Sequence, residues 1–409
     1  MYNYLIRPRN RFYTSPLRVT IPARAASRLA ALTEISISAA AGFIAPDQSP
    51  LFYGDVSRAN AKQTTASLLA GVYIPNPNAA PPGFRGVENI KQVEQFITVP
   101  KNMFYSATLG NLEDARGKQL QHTGIIPLAS HAKSAEEKER AMYYSMLAVG
   151  TYLAAPLYLK NLETNRLRGY VRLVEPPAHI PAMPELPSIT KMIQQKVTVQ
   201  NADTLKAAIP LFDPAQPPPA ILVFANAFRP GGPFEGASAQ EEDMARYTAY
   251  LRFWDVYAHL FERSTLYNAK SPRPQVIPSE AAVLFTNVPL VRKSNGDFLD
   301  PNMAFKQPRF HFVVSAAPDM RNPHHLPGGY DRFIRRCIHA QFEAAVKSGS
   351  KTLIWGAWGY GVFKNQPEDI AKAYREILPQ YINNFDQVIF AIPFSDMNEN
   401  FTTFFKYFS

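Results

Sequence analysis

The chain has 409 residues, a hydrophobic fraction of 46% and 36 prolines. This composition excludes global disorder, because enough apolar surface is present for a core, and the frequent prolines exclude a long coiled coil. The net charge of +10 favours a polyanionic partner but is equally compatible with solubility alone.

The single cysteine, Cys337, excludes an intrachain disulfide framework and a cysteine-based zinc site. Its sequence surroundings predict a buried, small apolar role on a helix. A lone cysteine fits a reducing compartment, so we expect an intracellular, cytoplasmic protein. Targeting elsewhere stays open, since residues 1–33 contain six arginines and no acidic residue and loosely resemble an organelle transit peptide.

The N-terminal half mixes short apolar runs with Pro-rich breaks at 74–84 and 175–187. Ser134 and Glu137 form a capping-box pair that predicts a helix start. Residues 141–159 carry no formal charge and are long enough to span a membrane, but their tyrosines, serine, threonine and proline favour a buried helix. We therefore predict a partly helical accessory region over 1–195 and no membrane partner.

The C-terminal half is more regular. Five short runs rich in Val, Ile and Phe predict buried strands, at 220–227, 281–291, 310–318, 352–359 and 387–393. Helical patterns lie between them, over 240–261, over 330–348 with Gly349 as the stop, and from Pro367 onwards. Strands alternating with helices predict a three-layer α/β/α domain over 196–409, with a mixed, largely parallel central sheet. Ligands of such sheets bind at the carboxyl ends of the strands.

The segment 221–247 combines several features of a ligand site. A strand leads to Asn226, a turn with Gly231 and Gly232 follows, and Gln240, Glu241 and Glu242 open a helix. Glycines permit close backbone approach to a ligand, and paired carboxylates suit acid and base chemistry at an anomeric carbon. The alternative is a helix cap, because acidic residues are favourable in any first helical turn.

NAFRPGG, then Pro233, the six residues FEGASA and QEE resemble the signature of bacterial-type poly(ADP-ribose) glycohydrolases, a branch of the macrodomain superfamily. The resemblance extends over about 196–394. It implies that Glu242 is the catalytic acid, that Glu241 contacts the ribose or the leaving unit, and that Asn226 binds the distal ribose. One residue departs from the pattern: Pro233 stands where the family has a third glycine, and proline removes an N–H and fixes φ.

A second glycine loop, 355–367, follows another predicted strand. Gly356, Gly359 and Gly361 expose backbone N–H groups that can cradle a diphosphate, as the resemblance implies. Tyr360 and Phe363 either cover the ligand or pack the loop against the domain. The resemblance also implies that Phe394 lies against adenine, although a core or surface role is open.

These features predict a hydrolase that removes ADP-ribose from poly- or mono-ADP-ribosylated targets without metal or cofactor. The expected partner is ADP-ribose or an ADP-ribosylated protein, and no stable nucleic-acid partner is expected. One alternative is a macrodomain that binds ADP-ribose without cleaving it. Another is a protein that binds nucleic acid or an anionic surface through its net positive charge. His324 and His325 show no metal-ligand spacing, and the oligomeric state stays open.

Overall fold

The computed structural model describes residues 34–36, 112–113, 119–120, 135–179, 186–227, 231–232, 237, 239–261, 277, 280–321, 329–395 and 399–409. Two compact units make up the chain. Unit 1 comprises Met1–Gly169, Phe228–Tyr267 and Pro289–Gln307, and unit 2 comprises Tyr170–Ala227, Asn268–Val288 and Pro308–Ser409. The predictions for residues 1–33, 74–84, Ser134, Pro233, His324 and His325 lie outside the described residues.

The described strands, in chain order, are β1 (Glu34–Ser36), β2 (Leu112–Glu113), β3 (Gln119–Leu120), β4 (Tyr170–Val174), β5 (Val197–Gln200), β6 (Ala220–Phe224), β7 (Ala282–Pro289), β8 (Arg309–Ser315), β9 (Thr352–Trp355) and β10 (Gln387–Ala391). The described α-helices are α1 (Ala135–Thr164), α2 (Leu186–Lys196), α3 (Thr204–Ala208), α4 (Gln240–Tyr247), α5 (Tyr250–Phe261), α6 (Tyr330–Ser348), α7 (Pro367–Ile377) and α8 (Asn400–Phe408). Short 3-10 helices cover Ile209–Leu211, Pro301–Lys306, Leu378–Gln380 and Ile382–Asn384.

Unit 2 is built on a sheet with the strand order β4-β7-β8-β6-β9-β10-β5. β6 runs parallel to β8 and to β9, and β10 runs parallel to β9 and to β5. β4 is antiparallel to β7. The predicted fold class is therefore confirmed as an α/β unit with a mixed, largely parallel sheet.

The central strands are buried on both faces, as their continuous apolar runs predicted. Every residue of β8 is buried, and in β6 only the last residue, Phe224, is partly exposed. A strand of this kind must be covered on either side, which explains the absence of apolar–polar alternation in its sequence. The core of unit 2 joins these strands to α6 and α7, and Cys337 lies within it, fully buried as predicted.

Helix boundaries in unit 2 follow the local sequence. α6 ends where Gly349 adopts the left-handed conformation, with φ of 76°. α7 begins at Pro367, and Glu368 and Asp369 occupy its first turn, where the helix dipole favours negative charge. Both boundaries are confirmed.

Unit 1 contains α1, whose 30 residues include the uncharged stretch 141–159. The side chains of Leu147, Tyr152, Tyr158 and Leu162 are buried along it. No described helix combines the length and apolar character that crossing a bilayer would require. The prediction of a buried helix is thus confirmed.

The helical pattern over 240–261 is divided into α4 and α5, so the prediction of one continuous helix is wrong. Thr248 is extended, with φ of −127° and ψ of 170°, and it forms an isolated antiparallel bridge with Leu290. Its hydroxyl donates to the carbonyl of Met244 at 2.7 Å, which satisfies the end of α4. The bridge to a segment more than forty residues away, rather than local propensity, ends the helix.

The division of the chain at residue 195 stays a prediction. β4 pairs with β7 within the sheet of unit 2, and Ile189 and Ile193 of α2 belong to the core of that unit. Unit 2 therefore includes residues 170–195. The Pro-rich stretch 175–187 had led us to expect these residues in the accessory region.

Replacing Gly349 with alanine should lower the free energy of unfolding by about 1–2 kcal/mol, because an L-residue is strained at this φ. A Cβ there would meet no atom within 4 Å, so backbone strain alone is tested. Gly361→Ala is the control, since its φ is not positive and its Cβ would also meet nothing. Urea denaturation of both variants checks the difference, and equal losses would contradict it.

Candidate active site

Glu241 is held against the first glycine turn in unit 1. Its side chain is buried, and Oε1 accepts hydrogen bonds from the backbone N–H of Gly231 at 2.9 Å and from the hydroxyl of Tyr250 at 3.0 Å. Gly231 has φ of 78°, a conformation that glycine adopts without strain. The tandem acids and the glycine turn are thus brought together within one unit, as the sequence predicted.

Glu242 lies beside the next residue of the turn. A Cβ built on Gly232 would come within 2.1 Å of Glu242 Oε1, so only glycine leaves room for this carboxyl group. Glu242 is 5% exposed, and its Oε2 is buried without a hydrogen-bond partner in the described part of the chain. Buried polar atoms that lack a hydrogen-bond partner are rare in folded proteins, so the Oε2 atom of Glu242 calls for an explanation.

Burial raises the pKa of Glu242 above its usual value. The backbone N–H of Glu242 itself and the charge of Arg246 lower this pKa, and Asp243 raises it, but burial has the largest effect. A carboxyl group with a raised pKa keeps its proton to higher pH, which suits a general acid.

The helix-cap alternative explains only part of this geometry. The N-cap residue of α4, Ala239, has no side chain that could cap the helix. Its backbone N–H donates to the Glu242 carboxyl instead, as in a capping box. Capping does not require both acids to be buried or Glu241 to accept from Gly231. Gln240 is half-buried at the first position of the helix.

Two residues near the acids were missed in the sequence. Tyr250 is fully buried, and burial together with the charge of Glu241 raises its pKa well above the usual value, so its hydroxyl stays a donor. Arg246 lies one helical turn after Glu242, and this i, i+4 spacing could have identified it. No spacing rule identifies Tyr250, because the helix is interrupted at Thr248.

In unit 2, the other predicted residues follow the carboxyl ends of neighbouring parallel strands. Asn226 comes two residues after β6, Gly356 comes directly after β9, and Phe394 comes three residues after β10. β6 and β10 both flank β9 in parallel, so these three positions lie at one edge of the sheet. Asn226 is half-buried there.

The second glycine loop packs closely across this edge. A Cβ on Gly356 would lie 2.8 Å from the ring of Phe224 and 2.9 Å from the carbonyl of Ala391, at the ends of the flanking strands. A Cβ on Gly359 would lie 2.5 Å from Ala317, after β8, and its φ is 78°. Gly361 is exposed, with open space around its Cβ position.

Asn365 and Trp358 fix the same loop and were not predicted. The side-chain amide of Asn365 donates to the carbonyls of Gly359 at 2.6 Å and Pro318 at 3.0 Å. The indole N–H of Trp358 donates to the carbonyl of Ser315 at 2.9 Å. The bonds to Pro318 and Ser315 anchor the loop to the segment that begins at the end of β8.

The aromatic candidates of unit 2 differ in their surroundings. The carbonyl of Phe363 accepts from the N–H of Met320, and the Arg321 guanidinium lies 5.7 Å from the centre of its ring, which supports the packing interpretation for this residue. Tyr360 is half-buried. Phe394 is 49% exposed, its ring makes an edge contact with Phe401, and its N–H donates to Asn201.

No group of three or more metal-ligating His, Cys, Asp or Glu side chains occurs among the residues with a described position. His311 is buried in unit 2, and burial lowers its pKa to about 3. It therefore stays neutral, and its Nδ1 accepts from the N–H of Asn287 at 3.0 Å. These contacts give it a structural role in the sheet.

Comparison with known proteins supports the resemblance seen in the sequence. Residues 141–293 match the sequence model of the family described as microbial-type PARG, catalytic domain. This match contains the first glycine turn and the tandem acids, and it begins earlier than the 196–394 expected from the motifs. No curated protein matches the chain.

Solved structures of bacterial poly(ADP-ribose) glycohydrolases are similar at low sequence identity. The enzyme of Thermomonospora curvata bound to the inhibitor ADP-HPD is 21% identical, with a TM-score of 0.46, and the alignment covers 75% of this chain and 98% of that one. The enzyme of Deinococcus radiodurans in complex with ADP-ribose is 22% identical, with a TM-score of 0.44, over 58% of this chain and 93% of that one.

Gly232→Ala should displace the Glu242 carboxyl group, because the added methyl group needs roughly 3.5 Å from Oε1. The carboxyl is the end of a flexible side chain, so the loss in unfolding free energy should stay near the value for Gly349→Ala, which has the same backbone strain without the clash. A crystal structure of Gly232→Ala with Glu242 unmoved would contradict the packing described above.

Tyr250→Phe should lower the free energy of unfolding by about 1.5–3 kcal/mol, because it removes a hydrogen bond to a buried carboxylate. Tyr374→Phe is the matched control. Tyr374 is equally buried but donates to the neutral side chain of Gln341, so its loss should be about 0.5–1.5 kcal/mol. Chemical denaturation measures both, and the interpretation fails if Tyr374→Phe costs as much as Tyr250→Phe.

Proposed function

On the premise that residues 141–293 carry the catalytic domain of microbial-type PARG, we propose that the chain hydrolyses ADP-ribosyl bonds. The bond would be cleaved at the anomeric carbon of ribose, with release of ADP-ribose from a polymer or from a modified side chain. The observation that carries the proposal is the buried Glu242 carboxyl, which has a raised pKa, packs against Gly232 and has an Oε2 without a hydrogen-bond partner among the described residues.

Glu242 acts first as the acid. It donates its proton to the leaving oxygen as the bond between that oxygen and the anomeric carbon breaks, and positive charge develops on the ribose ring. Water then adds to the anomeric carbon and returns a proton to Glu242. The unpartnered Oε2 suits this role, because a carboxyl oxygen already engaged within the protein would have to leave its partner first.

Glu241 has a different role in the proposal. Its Oε1 accepts two hydrogen bonds, from the N–H of Gly231 and the hydroxyl of Tyr250, and these fix the position of the carboxyl group. A fixed carboxylate can accept hydrogen bonds from ribose hydroxyl groups and stabilise positive charge on the sugar. The different surroundings of Glu241 and Glu242 thus give two adjacent glutamates two functions.

The second glycine loop supplies the proposed diphosphate contact. Gly356, Gly359 and Gly361 follow β9 and precede α7, and Asn365 holds the loop backbone in place. Backbone N–H groups of such a loop can bind phosphate oxygens. Asn226, Tyr360 and Phe394 remain proposed ribose and adenine contacts, and Phe394 is exposed enough to stack on a base.

Glu242→Gln should lower kcat by about 10²- to 10⁴-fold and leave ADP-ribose binding intact, because the amide cannot donate and recover a proton. Release of ADP-ribose from automodified protein measures turnover, and calorimetry measures binding. Glu343→Gln, in an i, i+4 pair with Lys347 on α6, is the control and should retain full activity. Binding of ADP-ribose by the unmodified chain without any turnover would instead support a non-catalytic reader.

The activity of the unmodified chain should decrease as pH rises. Glu242 must be protonated to act as the acid, so activity should fall as pH rises through its pKa. Because that pKa is raised, this alkaline limb should lie above the ordinary titration range of a glutamate. Activity that increases throughout the neutral range would contradict the role given to Glu242.

A further inference from the structure

Arg246 is the most deeply buried cation among the described residues of unit 1, at 1% exposure. Its Nη1 donates to the carbonyl of Ala237 at 2.7 Å, and its Nη2 donates to Asp243 at 2.7 Å. The guanidinium lies over the ring of Tyr144, 4.2 Å from its centre. The main-chain oxygen of Arg246 also accepts from the hydroxyl of Thr151 at 2.5 Å.

These contacts join three segments of unit 1. Ala237 belongs to the connection between the glycine turn and α4, Asp243 belongs to the first turn of α4, and Tyr144 and Thr151 belong to α1. A planar guanidinium donates in fixed directions, so it sets the relative position of the groups it binds. Glu242 lies between Ala237 and Asp243 in the sequence. Arg246 binds both of these residues, so its hydrogen bonds constrain the backbone that carries the Glu242 side chain.

The positive charge of Arg246 is carried by a buried side chain. Its ion-pair partner, Asp243, is 43% exposed and well solvated, whereas the Arg246 side chain is almost fully buried. A buried charge beside a solvated partner acts on other nearby groups over a longer range than a surface charge does. Glu242, on the same helix and also buried, is within its influence.

We propose that Arg246 is a positioning residue for Glu242. Its guanidinium fixes the connection from the glycine turn and the first turn of α4 against α1, and it keeps a positive charge beside the acid. This inference rests on the proposed function, because it assigns Arg246 a part in the same reaction. It also gives α1, which precedes the glycine turn and the tandem acids in the sequence, a role in forming the site.

The groups that act on Glu242 set the expected pH response. On α4 these are Arg246, which lowers the pKa of Glu242, and Asp243, which raises it. Glu241 is the neighbouring acid on α4, and it accepts a hydrogen bond from Tyr250 of α5, whose pKa is raised in part by the charges of both glutamates. From α1, the Tyr144 ring and the Thr151 hydroxyl contact Arg246.

Arg246→Met and Arg246→Lys separate charge from geometry in the full chain. Arg246→Met removes the charge, so the alkaline limb of kcat should move to higher pH, and kcat should fall by up to about 10²-fold through misplacement of Glu242. Arg246→Lys keeps the charge but loses the fixed donor directions of the guanidinium. We therefore expect kcat to fall while the alkaline limb stays at nearly the same pH as in the unmodified chain. Affinity for ADP-ribose should change little in both.

Asp243→Asn supplies a shift of opposite sign and keeps the test usable if Arg246→Met does not fold. Removing the negative charge should lower the pKa of Glu242 and move the alkaline limb to lower pH. Asparagine still offers an oxygen to Arg246, so a hydrogen bond from the guanidinium can persist without the charge. Melting temperatures of all three variants show which of them are folded.

Each possible result supports the inference, overturns it or rejects the proposed function. Opposite displacements of the limb in Arg246→Met and Asp243→Asn support the inference. A limb that stays at the same pH in both folded variants overturns it, as does an unchanged kcat in Arg246→Met. Absence of turnover by the unmodified chain would instead reject the proposed function, and that result is seen before any variant is compared.

Discussion

The close approach of a glycine backbone to two buried carboxyl groups is the contact on which the proposed chemistry depends. Gly231 donates its N–H to Glu241, and Gly232 leaves the space that the Glu242 carboxyl occupies. A side chain at either position would be strained by the positive φ, and at 232 it would also overlap the acid. The turn and the acids therefore constrain each other.

Burial then distinguishes the two glutamates. Glu241 accepts hydrogen bonds from Gly231 and Tyr250, whereas Glu242 has a raised pKa and an Oε2 that finds no hydrogen-bond partner among the described residues. Adjacent residues of identical type would have nearly equal pKa values in water. Their separate proposed roles arise from surroundings that are fixed by Tyr250 on α5 and by Arg246, which is itself held against α1.

In unit 2, parallel strands hold the loop that we propose as the diphosphate contact. β6, β9 and β10 end at one edge, and the loop after β9 lies so close to its neighbours that Gly356 and Gly359 have no room for a Cβ. Asn365 satisfies two carbonyls of this region from a buried position. A loop anchored in this way presents backbone N–H groups with little loss of entropy on binding.

The sequence by itself determined the five predicted strands of the C-terminal half, the boundaries of α6 and α7 and the pairing of a glycine turn with tandem acids, because each is encoded by local patterns. Tertiary structure decided the rest. A bridge between Thr248 and Leu290 interrupts the helical pattern after the acids and places Tyr250 on Glu241. β4 joins the sheet through pairing with a strand more than a hundred residues away. Such long-range contacts leave no periodic trace in the chain, so only the folded structure reveals them.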